Sequence, residues 1–301
     1  MEPSTTVYCR LMGGLGNQLF QYAAARTWAD ERGLHLVLDT RYVDRKMTHG
    51  GTRDLRRFNL RASFAGEGGM PDRLSEGRWR LSRALRKFYT PALGCFHEIG
   101  QDPALNRPPK RLNGALVSGF WQSEQYFITN RDVIRSDISL REEMSKEAKA
   151  LHEEIDSSIT YSIHVRRGDY TASEFNRKRY GSCTAGYFQN AIQTLRQSTP
   201  SARAVLFSDD PAWAQASLNL PSEALIASGR NLGAAEELVL MASCNHHIIA
   251  NSTFSWWGAW LNPSLTKQVI APSPWFSDPR IDSSHITPPS WLRIAKDQHD
   301  L

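Results

Sequence analysis

Residues 161–170 read YSIHVRRGDY, and this stretch decides the fold that we expect. We interpret 161–165 as a β-strand and the two arginines and the glycine after it as a loop. A helical pattern over 187–197 and a further strand over 204–208 follow, so this region predicts a βαβ unit with parallel strands. The remaining predicted elements of this half are a helix at 234–244, a strand at 247–250, a tryptophan-rich helix from about residue 254 and a strand at 268–271.

The N-terminal region carries a second pattern of the same kind. Apolar spacing predicts a strand at 7–11, a helix at 17–32 and a strand at 36–39. Because the two patterns are separated near residue 150, we expect an α/β protein with two Rossmann-like lobes, 1–150 and 151–301. In such lobes, ligands bind at the carboxyl ends of the parallel strands.

Length and composition fit a folded protein of two domains. The chain has 301 residues, of which 41% are hydrophobic and 22% charged, which excludes disordered, collagen-like and coiled-coil classes. No apolar run reaches the roughly 18 residues of a membrane span, and no signal-peptide pattern is present, so we expect a cytoplasmic protein. The four cysteines lie too far apart in sequence for a zinc motif or a disulfide framework, and we expect reduced, buried thiols.

The net charge of +5 arises in the N-terminal part of the chain. Residues 1–110 contain 18 of the 36 basic side chains but 11 of the 31 acidic ones. Within this part, residues 73–89 combine apolar positions at helical spacing with six basic residues, which predicts a basic amphipathic helix. Two interpretations stay open: an ordinary surface helix, and peripheral contact with an anionic membrane at its inner face.

The loop after the first predicted strand reads GGLGNQ at residues 13–18. A dinucleotide fingerprint needs a third glycine at position 19, where the chain has leucine, so we do not expect NAD binding. Asn17 and Gln18 lie on the first turn of the next helix, where their amides can hydrogen-bond a polar ligand. The alternative is that Asn17 only caps the helix.

Arg166 and Arg167 follow the strand that ends at residue 165. Two guanidinium groups at the carboxyl end of a parallel strand offer paired N–H donors to a pyrophosphate. Neighbouring side chains point to opposite sides, so we expect one arginine to bind the ligand and the other to hold a local carboxylate, such as Asp169. A salt-bridged turn without a ligand is the alternative.

Two other loops also follow predicted strands. We interpret Asp210, in the pair Asp209–Asp210, as the N-cap of the next helix rather than as part of a metal site. The loop at 251–260 contains one amide, three hydroxyl side chains and three tryptophans. The hydroxyls can meet phosphate oxygens at a helix N-terminus. We expect at least two of the tryptophans to pack in the core, and a platform for a sugar or a base is the alternative.

Five segments of the chain resemble, in order, the bacterial α-1,2-fucosyltransferases of glycosyltransferase family 11. They are residues 13–23, 119–127, 164–170, 207–210 and 251–260. The blocks HVRRGDY and NSTFSWWGAW are the most specific. The resemblance implies a GT-B-like fold, with a cleft between an acceptor-side first lobe and a second lobe that binds GDP-fucose. We also expect the C-terminal tail to pack back on the first lobe.

The same resemblance implies roles for individual residues. Arg166 resembles the arginine that binds the donor's pyrophosphate, and Glu237 stands where related sequences usually have an aspartate for the guanine ring. The implied donor-binding residues are Asn17, His164, Arg166, Glu237, Asn251, Ser252, Thr253 and Ser255. For the proton of the acceptor hydroxyl, the candidates are Asp169 and Glu174, which with Arg166 form the expected catalytic set.

The implied reaction transfers L-fucose from GDP-β-L-fucose to the 2-hydroxyl of a terminal β-galactoside, with inversion and without a metal or other cofactor. The product, Fuc-α-1,2-Gal, belongs to glycan or O-antigen synthesis, and a lipid-linked acceptor is one version of the partner. Nucleic acid is not an expected partner. The alternatives are a transferase for another GDP-sugar, a non-catalytic glycan-binding protein and a basic RNA-binding protein.

Overall fold

The chain divides into two compact units, Met1–Arg141 and Glu142–Leu301, each with its own parallel sheet. The computed structural model describes residues 5–46, 51–66, 69–84, 94–100, 102–168 and 174–296. The second unit begins before the boundary that we placed after residue 150. The reason is the helix Lys146–Asp156, whose apolar face packs into the core of the second unit.

The first unit contains a five-stranded sheet in which all neighbouring strands are parallel, in the order β3-β2-β1-β5-β4. Its strands are β1 (Thr6–Arg10), β2 (His35–Asp39), β3 (Ser63–Ala65), β4 (Cys95–His97) and β5 (Leu116–Ser118). Strands β2 and β3 lie on one side of β1, and strands β5 and β4 lie on its other side. The strand order therefore reverses between β1 and β5, which is where ligands enter open parallel sheets.

Helix α1 covers the first sheet and is buried on nearly all sides. The helices of this unit are α1 (Leu15–Asp30), α2 (Arg41–Lys46), α3 (Glu76–Ala84) and α4 (Arg131–Asp137). Small side chains in α1 let it lie close to the strands, since three consecutive alanines at 23–25 are fully buried. Helix α1 begins two positions before the expected residue 17.

Helix α3 is the described part of the predicted basic helix, whose residues 85–89 lie outside the described residues. It begins at Glu76 rather than at residue 73, because Leu74 belongs to a preceding 3-10 turn. Trp79 rather than Leu81 anchors it: Trp79 is 5% exposed, whereas Leu81 is 53% exposed. The apolar face is therefore narrower than the spacing of the leucines predicts.

The second unit contains a six-stranded parallel sheet, in the order β11-β10-β9-β6-β7-β8. Its strands are β6 (Thr160–Val165), β7 (Arg203–Ser208), β8 (Leu225–Ile226), β9 (His246–Ile248), β10 (Val269–Ser273) and β11 (Leu292–Ala295). Every residue of β6 is buried, as expected of a central strand covered on both faces. The strand order reverses between β6 and β9.

Helices separate the successive strands of this sheet from β6 to β10. The helices of this unit are α5 (Lys146–Asp156), α6 (Glu174–Arg179), α7 (Ala185–Ser198), α8 (Pro211–Ser217), α9 (Ala234–Ser243) and α10 (Thr253–Leu261). All three tryptophans of α10 are buried, which confirms core packing and overturns the alternative of a ligand platform. The final strand, β11, pairs with β10, so the described C-terminal residues belong to the second sheet.

Two further sequence predictions can be compared with the structure. All four cysteines are free and buried, as expected. Among the described residues, no helix combines the length and the apolar character that crossing a membrane requires.

Candidate active site

The carboxyl ends of β6 and β9 lie side by side in the second unit, where the strand order reverses. Arg166 begins the loop after β6, and the loop after β9 leads into α10 at Thr253. The centroids of the His164 and Phe254 rings lie 5.6 Å apart, so the end of β6 contacts the first turn of α10. A charged loop and a helix N-terminus thus meet at the position where a ligand is expected.

The two aspartates after β7 hold the two arginines after β6. Arg166 Nη1 lies 3.3 Å from Asp209 Oδ2, and Arg167 Nε lies 3.3 Å from Asp210 Oδ2. We expected one arginine to hold a carboxylate, whereas each has its own aspartate because β6 and β7 are neighbours. The Arg167 guanidinium also stacks 3.9 Å from the centroid of the Trp213 ring. The Arg167 guanidinium is therefore held by a carboxylate and an aromatic ring together.

Asp209 also fixes the backbone of the arginine loop. Its Oδ1 accepts the N–H of Arg167 at 2.9 Å, and its Oδ2 accepts the N–H of Gly168 at 3.0 Å. A Cβ at Gly168 would lie 2.9 Å from Oδ2, so the carboxylate approaches this closely only because the residue is glycine. Asp210 instead accepts the N–H of Trp213 and caps α8, which confirms its predicted role.

His164 is a neutral, buried member of the candidate site. Burial, reinforced by the Arg166 guanidinium, lowers the pKa of His164 to about 3, so its imidazole is uncharged at pH 7. Its Nδ1 is buried and has no hydrogen-bond partner among the described residues. His164 can therefore offer a ligand a hydrogen bond but not a positive charge.

Asn251, in the loop after β9, and Lys296 donate hydrogen bonds to two of the same backbone carbonyls. Asn251 Nδ2 donates to the carbonyl oxygens of Tyr180, Gly181 and Trp275, at 3.1, 2.8 and 3.1 Å. Nζ of the fully buried Lys296 donates to the carbonyls of Tyr180 and Trp275, at 2.7 and 3.3 Å. The Asn251 amide nitrogen is thus committed to the backbone, while a direct contact of Asn251 with the donor stays a prediction.

The three hydroxyl side chains of this loop have different environments. Ser252 Oγ accepts the N–H of Phe254 at 3.3 Å and caps α10. Ser255 is fully buried, and its Oγ donates to the carbonyls of Ala250 and Ser252. Thr253 is half-buried, and its hydroxyl makes no hydrogen bond within the described part of the chain. Thr253 and the first-turn N–H groups of α10 other than that of Phe254 are thus the groups here that can meet a phosphate.

Two neighbouring glutamates lie on the first turn of α9. Glu236 is buried and structural, because its Oε1 accepts the N–H of Ser145 at 2.8 Å and its Oε2 accepts the N–H of Gly233 at 3.2 Å. Glu237 is half-buried on the same turn. Of the two carboxylates, Glu237 is therefore the one that a ligand can reach.

The two candidates for the general base are Asp169 and Glu174. Asp169 lies outside the described residues. Glu174 begins α6, and its carboxylate forms an exposed ion pair with Lys178 Nζ at 2.6 Å. Within the described ranges, no three His, Cys, Asp or Glu side chains are grouped to hold a metal ion.

In the first unit, Asn17 lies where the ends of β1 and β5 adjoin. Gln122, in the loop after β5, donates from Nε2 to Asn17 Oδ1 at 2.7 Å. Gly13 has φ +75°, and a Cβ there would collide with the Asn17 amide, so the glycine lets this amide lie over the loop. The alternative of Asn17 as N-cap is wrong, since Gly14 occupies that position.

Much of the chain matches a known protein family. Residues 113–295, more than half of the chain, match the family described as "Glycosyl transferase family 11". The chain belongs to glycosyltransferase family 11. It is therefore a glycosyltransferase, and the arginine loop, the capped α10 and the half-buried Glu237 all lie in the matched region.

Two relatives of this family 11 protein cover nearly its whole length, and a third covers part of it. It is 32% identical to the alpha-1,2-colitosyltransferase of Escherichia coli, over 96% of this chain and 99% of that one. It is 30% identical to the O-antigen biosynthesis glycosyltransferase WbnK of Escherichia coli, over 96% and 100%. The galactoside 2-alpha-L-fucosyltransferase Sec1 of Mus musculus is 26% identical over 60% of this chain and 51% of that one.

The fold has a counterpart among solved structures. The NodZ alpha-1,6-fucosyltransferase, co-crystallised with GDP, superposes with a TM-score of 0.51 at 16% identity, over 86% of this chain and 93% of that one. This likeness confirms the predicted GT-B-like α/β fold of the family 11 protein.

The roles of two residues in the second unit, Asp209 and Lys296, were not predicted from the sequence. Asp209 was weighed as a metal ligand and not as the clamp of the arginine loop. The signal was present, because Asp209 and Arg166 directly follow neighbouring parallel strands. Lys296 gave no such signal, because its acceptors, the carbonyls of Tyr180 and Trp275, are backbone atoms distant in sequence.

Proposed function

We propose that this protein transfers L-fucose from GDP-β-L-fucose to the 2-hydroxyl of a terminal β-galactoside, with inversion at the fucose anomeric carbon. Membership of family 11 and the fucosyltransferase named among its relatives support fucosyl transfer. The colitosyltransferase at 32% identity favours one second candidate, a donor carrying colitose. Colitose is L-fucose without its 3-hydroxyl, so the two donors differ at one position.

One observation carries the proposal: Arg166 and the N-terminus of α10 meet at the point where the second sheet reverses its strand order. A guanidinium, a free threonine hydroxyl and helix N–H groups together attract a diphosphate. Asp209 pairs with Arg166 at 3.3 Å. We infer that the diphosphate competes with Asp209 for this guanidinium, while Glu237 accepts the paired N–H groups of guanine.

The reaction breaks the bond between fucose C1 and the β-phosphate oxygen, and the electron pair leaves with GDP. Galactose O2 forms the new bond to C1 and loses its proton to a base. Negative charge grows on the leaving diphosphate, so donors fixed around it stabilise the transition state more than the ground state. Arg166 therefore contributes mainly to kcat.

We propose that either Asp169 or Glu174 is the base that accepts this proton. Glu174 would have to leave Lys178, and because this ion pair is exposed, breaking it costs little, about 0–1 kcal/mol. Comparing the pH–rate profiles of Asp169→Asn and Glu174→Gln distinguishes them. The variant that loses the acidic limb of the profile identifies the base, provided that circular dichroism shows both variants folded.

The decisive experiment offers lactose with either GDP-fucose or GDP-colitose and measures GDP release, with and without EDTA. We expect lactose-dependent GDP release with GDP-fucose, a product with an α-1,2 linkage by NMR, and no effect of EDTA. GDP release with GDP-colitose and not with GDP-fucose would show that colitose is the sugar transferred, and this result would still fit family 11. Lactose binding without GDP release from either donor would favour a glycan-binding protein, and loss of activity with EDTA would refute a metal-free reaction.

We also propose that the protein acts in the cytoplasm and contacts the inner membrane face when its acceptor is lipid-linked. On α3, Leu81, Arg80 and Arg83 are exposed together, which suits an anionic surface. Flotation with vesicles containing anionic lipid should carry the wild type and not Arg80→Glu/Arg83→Glu. Equal flotation of both proteins would exclude this helix as the contact.

A further inference from the structure

The loop after β5 holds a bulky residue in an unusual backbone conformation. Trp121 has φ +54°, a left-handed value that costs an ordinary residue about 1–3 kcal/mol and that is rare for a large side chain. Its indole is fully buried against Trp28, Phe96 and Tyr126, with centroid distances of 4.9, 5.6 and 5.5 Å. The aromatic packing therefore maintains the strained turn. Strain of this kind is typical of functional loops.

Glu98, just after β4, clamps the same turn. Its Oε2 accepts the N–H of Phe120 at 2.6 Å, and its Oε1 accepts the N–H of Trp121 at 3.0 Å. A Cβ at Gly119 would collide with Glu98 Cβ and with the Trp121 ring, so glycine is required for the carboxylate to approach. Burial raises the pKa of Glu98 to about 7.

The strained turn has two consequences for the surface. It leaves the Phe120 side chain 42% exposed although its neighbour Trp121 is fully buried. It is also followed by Gln122, whose Nε2 donates a hydrogen bond to Asn17 Oδ1 and so joins the loops after β5 and β1. Once this bond is made, Gln122 Oε1 and Asn17 Nδ2 have no hydrogen-bond partner within the ranges that the structure describes.

An exposed aromatic ring, a carboxylate and unpaired amide groups lie together where the first sheet reverses its strand order. We propose that Phe120, Gln122 and Glu98 form the subsite that receives the galactose ring of the acceptor. The proposal rests on the proposed function and names the residues that select its acceptor.

The chemistry of these residues matches a neutral sugar better than a phosphate. Galactose has an apolar face of C–H groups that can stack on an exposed ring, and hydroxyls that can donate to Gln122 Oε1 and to a carboxylate. None of the three residues is a cation that would attract a phosphate. Asn17 fixes the orientation of the Gln122 amide, so that its oxygen rather than its nitrogen is presented to the ligand.

The test compares KM values for the two substrates in the full-length enzyme. Phe120→Ala and Gln122→Ala should each raise the KM for lactose at least tenfold, while the KM for GDP-fucose changes less than twofold. Phe120→Tyr keeps the ring and should restore the KM for lactose. The matched control is Leu105→Ala, which removes a side chain that is 68% exposed in the same unit and should change neither KM.

Other outcomes separate this inference from the proposed function. If folded Phe120→Ala and Gln122→Ala bind lactose as the wild type does, the subsite is wrong even though transfer occurs. If the wild type transfers to no galactoside, the proposed function fails, and saturation-transfer NMR with lactose then decides: a signal from the wild type that disappears in Phe120→Ala supports the subsite, and equal or absent signals overturn it.

Discussion

The guanidinium of Arg166 and the carboxylate of Asp209 lie 3.3 Å apart at the ends of neighbouring parallel strands. The same carboxylate receives the N–H groups of Arg167 and Gly168. Asp209 therefore both shapes the arginine loop and balances its charge. If a diphosphate binds Arg166 as we propose, it will balance the guanidinium charge in place of Asp209, and Asp209 will still hold the two backbone N–H groups.

Replacing Arg166 by lysine should lower kcat by about 10²–10³ while the protein stays folded, because an ammonium group cannot make the two-pronged contact of a guanidinium. GDP release measured at saturating donor and acceptor tests this. Arg167→Lys is the matched control. Since Arg167 stacks on Trp213 and pairs with Asp210, we expect its kcat to stay within about tenfold of the wild type. Near-wild-type turnover of Arg166→Lys would show that Arg166 does not contact the leaving diphosphate.

Asp209→Asn should loosen the arginine loop. An amide keeps one acceptor oxygen for the two backbone N–H groups, so we expect a loss of about 1 kcal/mol in the free energy of unfolding and a fall in kcat of roughly 10-fold to 100-fold. Urea unfolding and steady-state kinetics measure the two effects. Asp210→Asn should change the stability little, because asparagine is an equally good N-cap. Equal effects of the two substitutions would contradict the clamp.

Gly119→Ala should destabilise the protein by about 1–3 kcal/mol, because the new methyl group meets Glu98 and Trp121 in a closely packed turn. Thermal and urea unfolding give the magnitude. Gly77→Ala supplies the control, since a Cβ at this exposed position of α3 meets nothing within 4 Å and should raise the helix stability by about 0.5–1 kcal/mol. If Gly119→Ala is as stable as the wild type, the turn is less tightly packed than described.

His164 should make the protein less stable in acid. In the folded state its pKa is about 3, whereas in the unfolded chain it is near 6.5. As the pH falls below 6.5, the unfolded chain binds a proton that the folded protein does not, so the free energy of unfolding decreases toward pH 3. At pH 5 this loss amounts to about 2 kcal/mol.

The measurement for this prediction is urea unfolding of wild type and His164→Phe at pH 7, 6 and 5. The variant should lose less stability between pH 7 and pH 5 than the wild type does. Parallel curves for the two proteins would show that His164 is protonated in the folded state as readily as in the unfolded chain.

The sequence predicted the elements whose signals are local. The strand before Arg166, the helix after Gly14 and the N-cap at Asp210 all depend on residues within a few positions of one another, and each was found within about two residues of its expected bounds. The short strands β3, β4 and β5 have three residues each and too little periodicity to be recognised. They become strands through their neighbours in the sheet.

The parts of the site that were missed depend on contacts distant in sequence. Nothing near Glu98 indicates that its carboxylate binds the N–H of Phe120, and nothing near Asn251 indicates that Lys296 shares its acceptors. The partners of Arg166 and Arg167 were misjudged for a related reason. Residues adjacent in sequence were considered as partners, whereas the pairs are formed across the edge of the sheet.

The buried ammonium of Lys296 has a practical bearing on how this protein can be shortened. Cutting the chain before residue 292 would strip β11 from the sheet and remove the Lys296 ammonium as a donor to the carbonyls of Tyr180 and Trp275. A shortened chain should therefore keep residues up to 296, because these last residues hold a turn that lies far from them in sequence.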